Sequence, residues 1–148
     1  MYFRRRPLVG SRSNAFYDEE SPLTHWRGYT AEMFTEELRC EVWECVAQIG
    51  TTIEEWRAAI RGDAAAAIAL ALRMKMPAEI TAPLDVTMTV LLAVALEDVE
   101  AASAMADLLQ RAPLEPVDRM GLSTSWLVHK IWLESVARNS RGRRSPGA

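Results

Sequence analysis

Cysteine and histidine are nearly absent, with two of each in 148 residues. Cys40 and Cys45 are five residues apart, about 140° around a helix, so they do not pair readily with each other. Two cysteines without a paired framework fit a reducing cytoplasm. His25 and His129 lie in different regions, and zinc needs ligands on one face or in short-spaced pairs. No metal or other cofactor is therefore expected. Glycine and proline number seven each, and alternating β-branched stretches are scarce. Leu, Ala, Met, Glu and Arg dominate instead, which points to an all-α fold. Long apolar runs are missing too. The longest nearly uncharged one, Val86 to Leu96, is far short of the roughly 20 residues that span a bilayer, which excludes membrane insertion.

Acid is missing from both ends of the chain. Residues 1–12 carry Arg4, Arg5, Arg6 and Arg12, and residues 138–148 carry Arg138, Arg141, Arg143 and Arg144. The stretch between holds nine basic residues against all twenty acidic ones, so the formal net charge of −3 hides an acidic body with basic termini. Such termini can reach phosphates, an acidic partner, or the body of the chain itself. Arg5-Arg6-Pro7-Leu8 has the look of a twin-arginine signal, but no apolar region follows it. In a eukaryote the acid-free first 17 residues would raise a transit peptide as a rival reading. Fifteen Arg to two Lys, with abundant Ala, is a composition expected of a GC-rich bacterium.

At 49% hydrophobic content, a chain of this length can bury one continuous core. The pattern along it predicts a compact bundle of about six helices. Residues 1–29 show no sustained period and read as an extended aromatic and basic arm. Its Tyr2, Phe3, Phe16, Tyr17 and Trp26 either pin it to the body or wait for a partner. Thr30 reads as the cap of the first helix, with Phe34, Leu38, Val42, Cys45 and Ile49 on one face and Gly50 as its stop. Glu37, Glu41 and Glu44 form an acidic row beside that face. Thr52 to Glu55 reads as a capping box that starts a second helix carrying Ile53, Trp56 and Ile60. Asp63 caps a third helix, about 63–76, ahead of Pro77. Residues 84–97 are apolar on almost every side, as in a helix surrounded by others. Asp98 caps the next, with Val99, Ala102, Ala106 and Leu109 as its stripe. Asp118 is read as the cap of the last helix, whose Leu122, Trp126, His129, Leu133 and Val136 recur at helical spacing. The domain thus runs over 30–137, and 138–148 has the composition of a disordered basic tail.

Asp63 and Asp98 are 35 residues apart and Pro77 and Pro113 are 36 apart, each Asp opening an Ala-rich helix that ends near its Pro. Over about residues 52–137 this spacing resembles the helical-hairpin repeats of the tetratricopeptide and Sel1-like class, which implies stacked hairpins approaching through small residues. The Leu-Gly and Tyr positions of a standard tetratricopeptide first helix are absent before Gly62 and Asp98. The resemblance therefore transfers no binding residues, and a bundle whose helix lengths merely agree is the alternative.

No Gly-rich phosphate loop, nucleophile elbow or oriented Cys-His pair occurs, so no catalytic residue is assigned. Glu37, Glu41 and Glu44 lack the i, i+3 histidine of a di-iron helix and read as a solvated face. His129 could serve as a general base, though a histidine on an apolar stripe is more often a hydrogen-bonded core residue. Tryptophan is enriched both in cores and at interfaces. Trp43 falls about 140° from the apolar face of the first helix, and Trp132 lies on a different face from Trp126, which makes both sides of the last helix apolar. These features predict a non-catalytic interaction module, a scaffold, adaptor or subunit. It would bind a protein partner or a second copy through Tyr2, Phe3, Phe16, Tyr17, Trp26, Trp43 and Trp132. The alternative is a nucleic-acid-associated protein whose Arg4, Arg5, Arg6, Arg12, Arg141, Arg143 and Arg144 contact phosphates. Against it stands the acidic body, which would repel a duplex lying along it.

Overall fold

The structure is a computed structural model that describes residues 21–52, 57, 61 and 63–144, with the backbone alone for 50–52 and 141–144. The protein is all-α. Among the described residues, a 3-10 helix at Pro22–Arg27 and a 3-10 turn at Ala31–Met33 precede five α-helices. These are α1 (Glu36–Thr52), α2 (Ala64–Arg73), α3 (Ala82–Ala95), α4 (Val99–Arg111) and α5 (Pro116–Arg144). Most of the predicted second helix lies outside the described residues, but Thr52, its expected cap, is instead the last residue of α1.

Local capping chemistry sets most of the helix starts. The Asp63 carboxylate accepts from the Ala66 amide at 3.1 Å, that of Asp98 from Ala101 at 2.9 Å, and the Thr81 hydroxyl from Leu84 at 3.2 Å. Each satisfies an amide that the first helical turn leaves without a partner. Helix α3 is the hub. Its residues Thr87 to Ala95 are buried on every side, against α1, α2, α4 and the Pro22–Arg27 helix. Helices α4 and α5 form the most extensive pair. Small residues Ala101, Ala102, Ala104 and Ala106 on the buried side of α4 let it approach its neighbours closely.

Four boundaries differ from the expectations. The first α-helix starts at Glu36, not Thr30, because Thr30 makes no side-chain cap bond and Thr35 supplies one to the Leu38 amide at 3.2 Å. Phe34 still reaches the core, but from an extended residue ahead of the helix. Gly50 does not stop α1, which runs on to Thr52. The last helix begins at Pro116, so Asp118 stands in its first turn and is not the cap. Nor does it dissolve near residue 138. Its backbone remains helical to Arg144, since each added residue gains a hydrogen bond and cations near the C-terminus suit the helix dipole.

The expected arm boundary at residue 29 also shifts. Ser21 caps the Pro22–Arg27 helix by accepting from the Leu23 amide at 3.2 Å, and from there the chain is part of the body.

Candidate functional site

Two clips bind the N-terminal segment to the bundle. At the first, Asp85 of α3 is completely buried, and its carboxylate accepts from Trp26 Nε1 at 2.5 Å. Arg27 adds a bidentate fork, Nε to Oδ1 at 3.0 Å and Nη2 to Oδ2 at 3.2 Å. The Thr89 hydroxyl donates to the Asp85 carbonyl at 2.6 Å, with a weaker contact to the Leu23 carbonyl at 3.3 Å. Burial pushes the Asp85 carboxyl up to about 7, against the pull of its three donors, which favour the charged form. At the second clip, Ser125 of α5 accepts from the Ala31 amide at 3.0 Å and donates to the Leu122 carbonyl at 2.9 Å.

Aromatic rings continue this second contact toward the surface. His25, Tyr29, Phe34, Trp126, His129 and Trp132 follow one another with centroids 4.5–6.4 Å apart. His129 Nε2 lies 3.0 Å from the Leu96 carbonyl. Burial lowers its pKa below the usual value; the bond to Leu96 opposes this, and the charge of Arg39 adds to it. The ring sits between Trp126 and Trp132. The Trp126 indole N–H is buried without an acceptor among the described residues.

The outward side of α5 is the most apolar exposed surface in the described part of the chain. Val117, Met120, Val128 and Ile131 are each more than half exposed, and Leu127 more than a third. Trp132 stands beside them at 54%, stacked on His129. Helical rotation puts Val117, Gly121, Thr124, Val128, Ile131 and Ser135 on one line opposite the buried Leu122 and Trp126 and the partly buried Leu133. No charged residue lies on that line, and a side chain added at Gly121 would meet nothing within 4 Å.

The other sequence-derived candidates fall elsewhere. Trp26 is not available to a partner: it is fully buried and fastens the segment to α3. Trp43 does not face outward; it is half-buried against the core, since Val42 and Val46 rather than Phe34 and Leu38 centre the buried face of α1. Glu37, Glu41 and Glu44 are exposed, as a solvated row should be. Tyr2, Phe3, Phe16, Tyr17, Arg4, Arg5, Arg6 and Arg12 lie outside the described residues. Arg141, Arg143 and Arg144 fall in the last turns of α5, where only the backbone is described. The sequence reading does not gather Val117, Met120, Leu127, Val128 and Ile131 as a set; their exposure on the helix does.

Among the described residues no group of three His, Cys, Asp or Glu side chains could hold a metal ion, and no helix is long and apolar enough to cross a membrane. A shallow open depression between α4 and α5 is lined by Val99, Glu134, Ala137 and Arg138. The described part of the chain is thus all-α, with residues 21–34 tied to the bundle and one long helix that is apolar on both sides. No family model, curated protein or solved structure matches the chain.

Proposed function

We propose that this chain is a non-catalytic protein-interaction module of a reducing cytoplasm, with the outward face of α5 as its binding surface. The observation that carries the reading is the outward face of α5, where Val117, Met120, Leu127, Val128, Ile131 and Trp132 leave large side chains in water over about four turns of helix. Contiguous exposed apolar surface of this kind marks a contact site, whereas scattered single residues do not. Trp132 is the natural anchor, because a large ring already held by stacking loses little freedom on binding. Asp63 and Asp98 cap Ala-rich helices in the same way, which also supports treating these segments as related helical units.

The test is to cross-link tagged wild-type and Ile131→Glu chains in the cells that produce them. Ile131 is 60% exposed, so the substitution should leave the fold intact by circular dichroism. Loss of the protein adducts in the variant supports the reading; unchanged adducts refute it.

A second reading is favoured by one feature: α5 continues to Arg144, which gathers Arg138, Arg141, Arg143 and Arg144 at one helix end. Under it those arginines and the N-terminal ones bind nucleic-acid phosphates. Affinity for DNA or RNA that falls steeply with salt and needs residues outside 13–137 would establish it. No binding at low salt would remove it.

A further inference from the structure

We infer that the occupant of the α5 face is a second copy of this chain, with the two helices antiparallel about a twofold axis near residue 126. The inference rests on the proposed use of this face and goes beyond it by naming partner and register.

Val117, Gly121, Thr124, Val128, Ile131 and Ser135 are spaced alternately four and three apart, the spacing of a two-helix seam. In the antiparallel register that overlaps all six, Val117 faces Ser135, Gly121 faces Ile131 and Thr124 faces Val128. Each outer layer sets a small residue against a β-branched one, and the central layer pairs two of similar size. The open space over Gly121 is thus where the partner's Ile131 sits. Beside it, Trp132 of the second copy lies over the same notch, while the Leu127 side chains of the two copies meet near the axis.

A parallel pairing lacks this fit. It would stack Gly121 on Gly121 and Ile131 on Ile131, leaving a gap in one layer and crowding in another. The antiparallel arrangement also places opposite ends of the helix dipoles together. An uncharged line suits a copy of itself, because pairing brings no like charges together along the seam.

The line from Val117 to Ser135 is about 27 Å long at 1.5 Å per residue and about 10 Å wide. Its projected area, roughly 300 Å², is small beside the ~800 Å² that a standard interface takes from each partner, even allowing for side-chain relief. The dimer is therefore a weak, concentration-dependent one and not an obligate pair.

The test uses the full chain. Sedimentation velocity from about 1 to 500 μM should show a monomer–dimer equilibrium in the wild type. Gly121→Arg fills the notch with a charged side chain at a position with free space around it, and should weaken the dimer at least 100-fold without loss of helix. Register is read by disulfide trapping in a Cys40→Ser, Cys45→Ser background. Gly121→Cys mixed with Ile131→Cys should cross-link between chains, because facing residues fall within the ~7 Å that a disulfide can bridge. Gly121→Cys alone should not, since the two copies of that position are then about 15 Å apart along the axis. Cross-linking of Gly121→Cys with itself would overturn the antiparallel register. A monomer at every concentration would overturn self-pairing altogether. If that monomer still loses its cellular adducts on Ile131→Glu, the interaction module stands and only the identity of the partner fails; if the adducts persist, both fail.

Discussion

Replacing Asp85 by alanine tests how the N-terminal segment is held. The substitution takes the acceptor from Trp26 Nε1, a group with no access to water. An unsatisfied buried donor of this kind costs about 1–3 kcal/mol. Arg27 loses its fork as well, but its side chain keeps 29% exposure and can turn toward solvent. The uncompensated-charge penalty of about 3–5 kcal/mol seen when buried pairs are broken is therefore mostly avoided. The small cavity left by the carboxyl adds to the cost, while removing a buried charge subtracts from it. The net expectation is a loss of about 2–3 kcal/mol, or a fall in Tm of about 4–12 °C for a domain of this size. Asp85→Asn keeps an oxygen for Trp26 and should lose only about 1 kcal/mol. Urea unfolding followed by tryptophan fluorescence, with calorimetry beside it, measures both. The reasoning is refuted if Asp85→Ala unfolds within about 0.5 kcal/mol of wild type, or if the asparagine variant is equally damaged.

Further expectations follow from the same contacts. With its carboxyl pushed up to about 7, Asp85 holds a proton in the folded chain across the range from about pH 4 to 7, where the unfolded chain releases it. Its contribution to stability is thus present at low pH and lost as pH rises through about 7; wild type should lose stability relative to Asp85→Asn over that window, and the opposite slope would mean that Trp26 and Arg27 outweigh burial. His129 has a lowered pKa, so its contribution is present above the ordinary histidine range and lost as pH falls through the folded value; an NMR titration midpoint at or above 6.5 would contradict this. Asp98→Ala removes the cap bond to Ala101 and should cost about 1 kcal/mol in urea unfolding. Leu92→Ala, at a fully buried position of α3, should cost about 2–5 kcal/mol by the same measurement.

What could be read in the sequence follows the range of the interactions concerned. Asp63, Thr81 and Asp98 announce their helices because a cap acts within three residues. The all-round apolar α3 was legible because a helix with no polar face must be enclosed. The Pro22–Arg27 helix was not, since it has no period of its own and is held by Asp85, 58 and 59 residues away from its two partners. Asp85 itself looked ordinary, an acid in the first turn of a helix. On α5 helical spacing defines the stripe through Leu122, Trp126 and Leu133 but also admits Val136, which is 44% exposed. The outer line carries Gly, Thr and Ser among its apolar residues, so it forms no continuous stripe of large side chains in the sequence. Burial separates the two lines.

The most direct measurement of the account is photo-cross-linking in living cells from a benzophenone side chain placed at Val128, on the outward line, with exposed Asp107 of α4 as the control. Strong protein adducts from position 128 and few from 107 are the expected result. Equal adducts from both positions, or none from 128, would contradict the claim that the outward face of α5 is the binding surface.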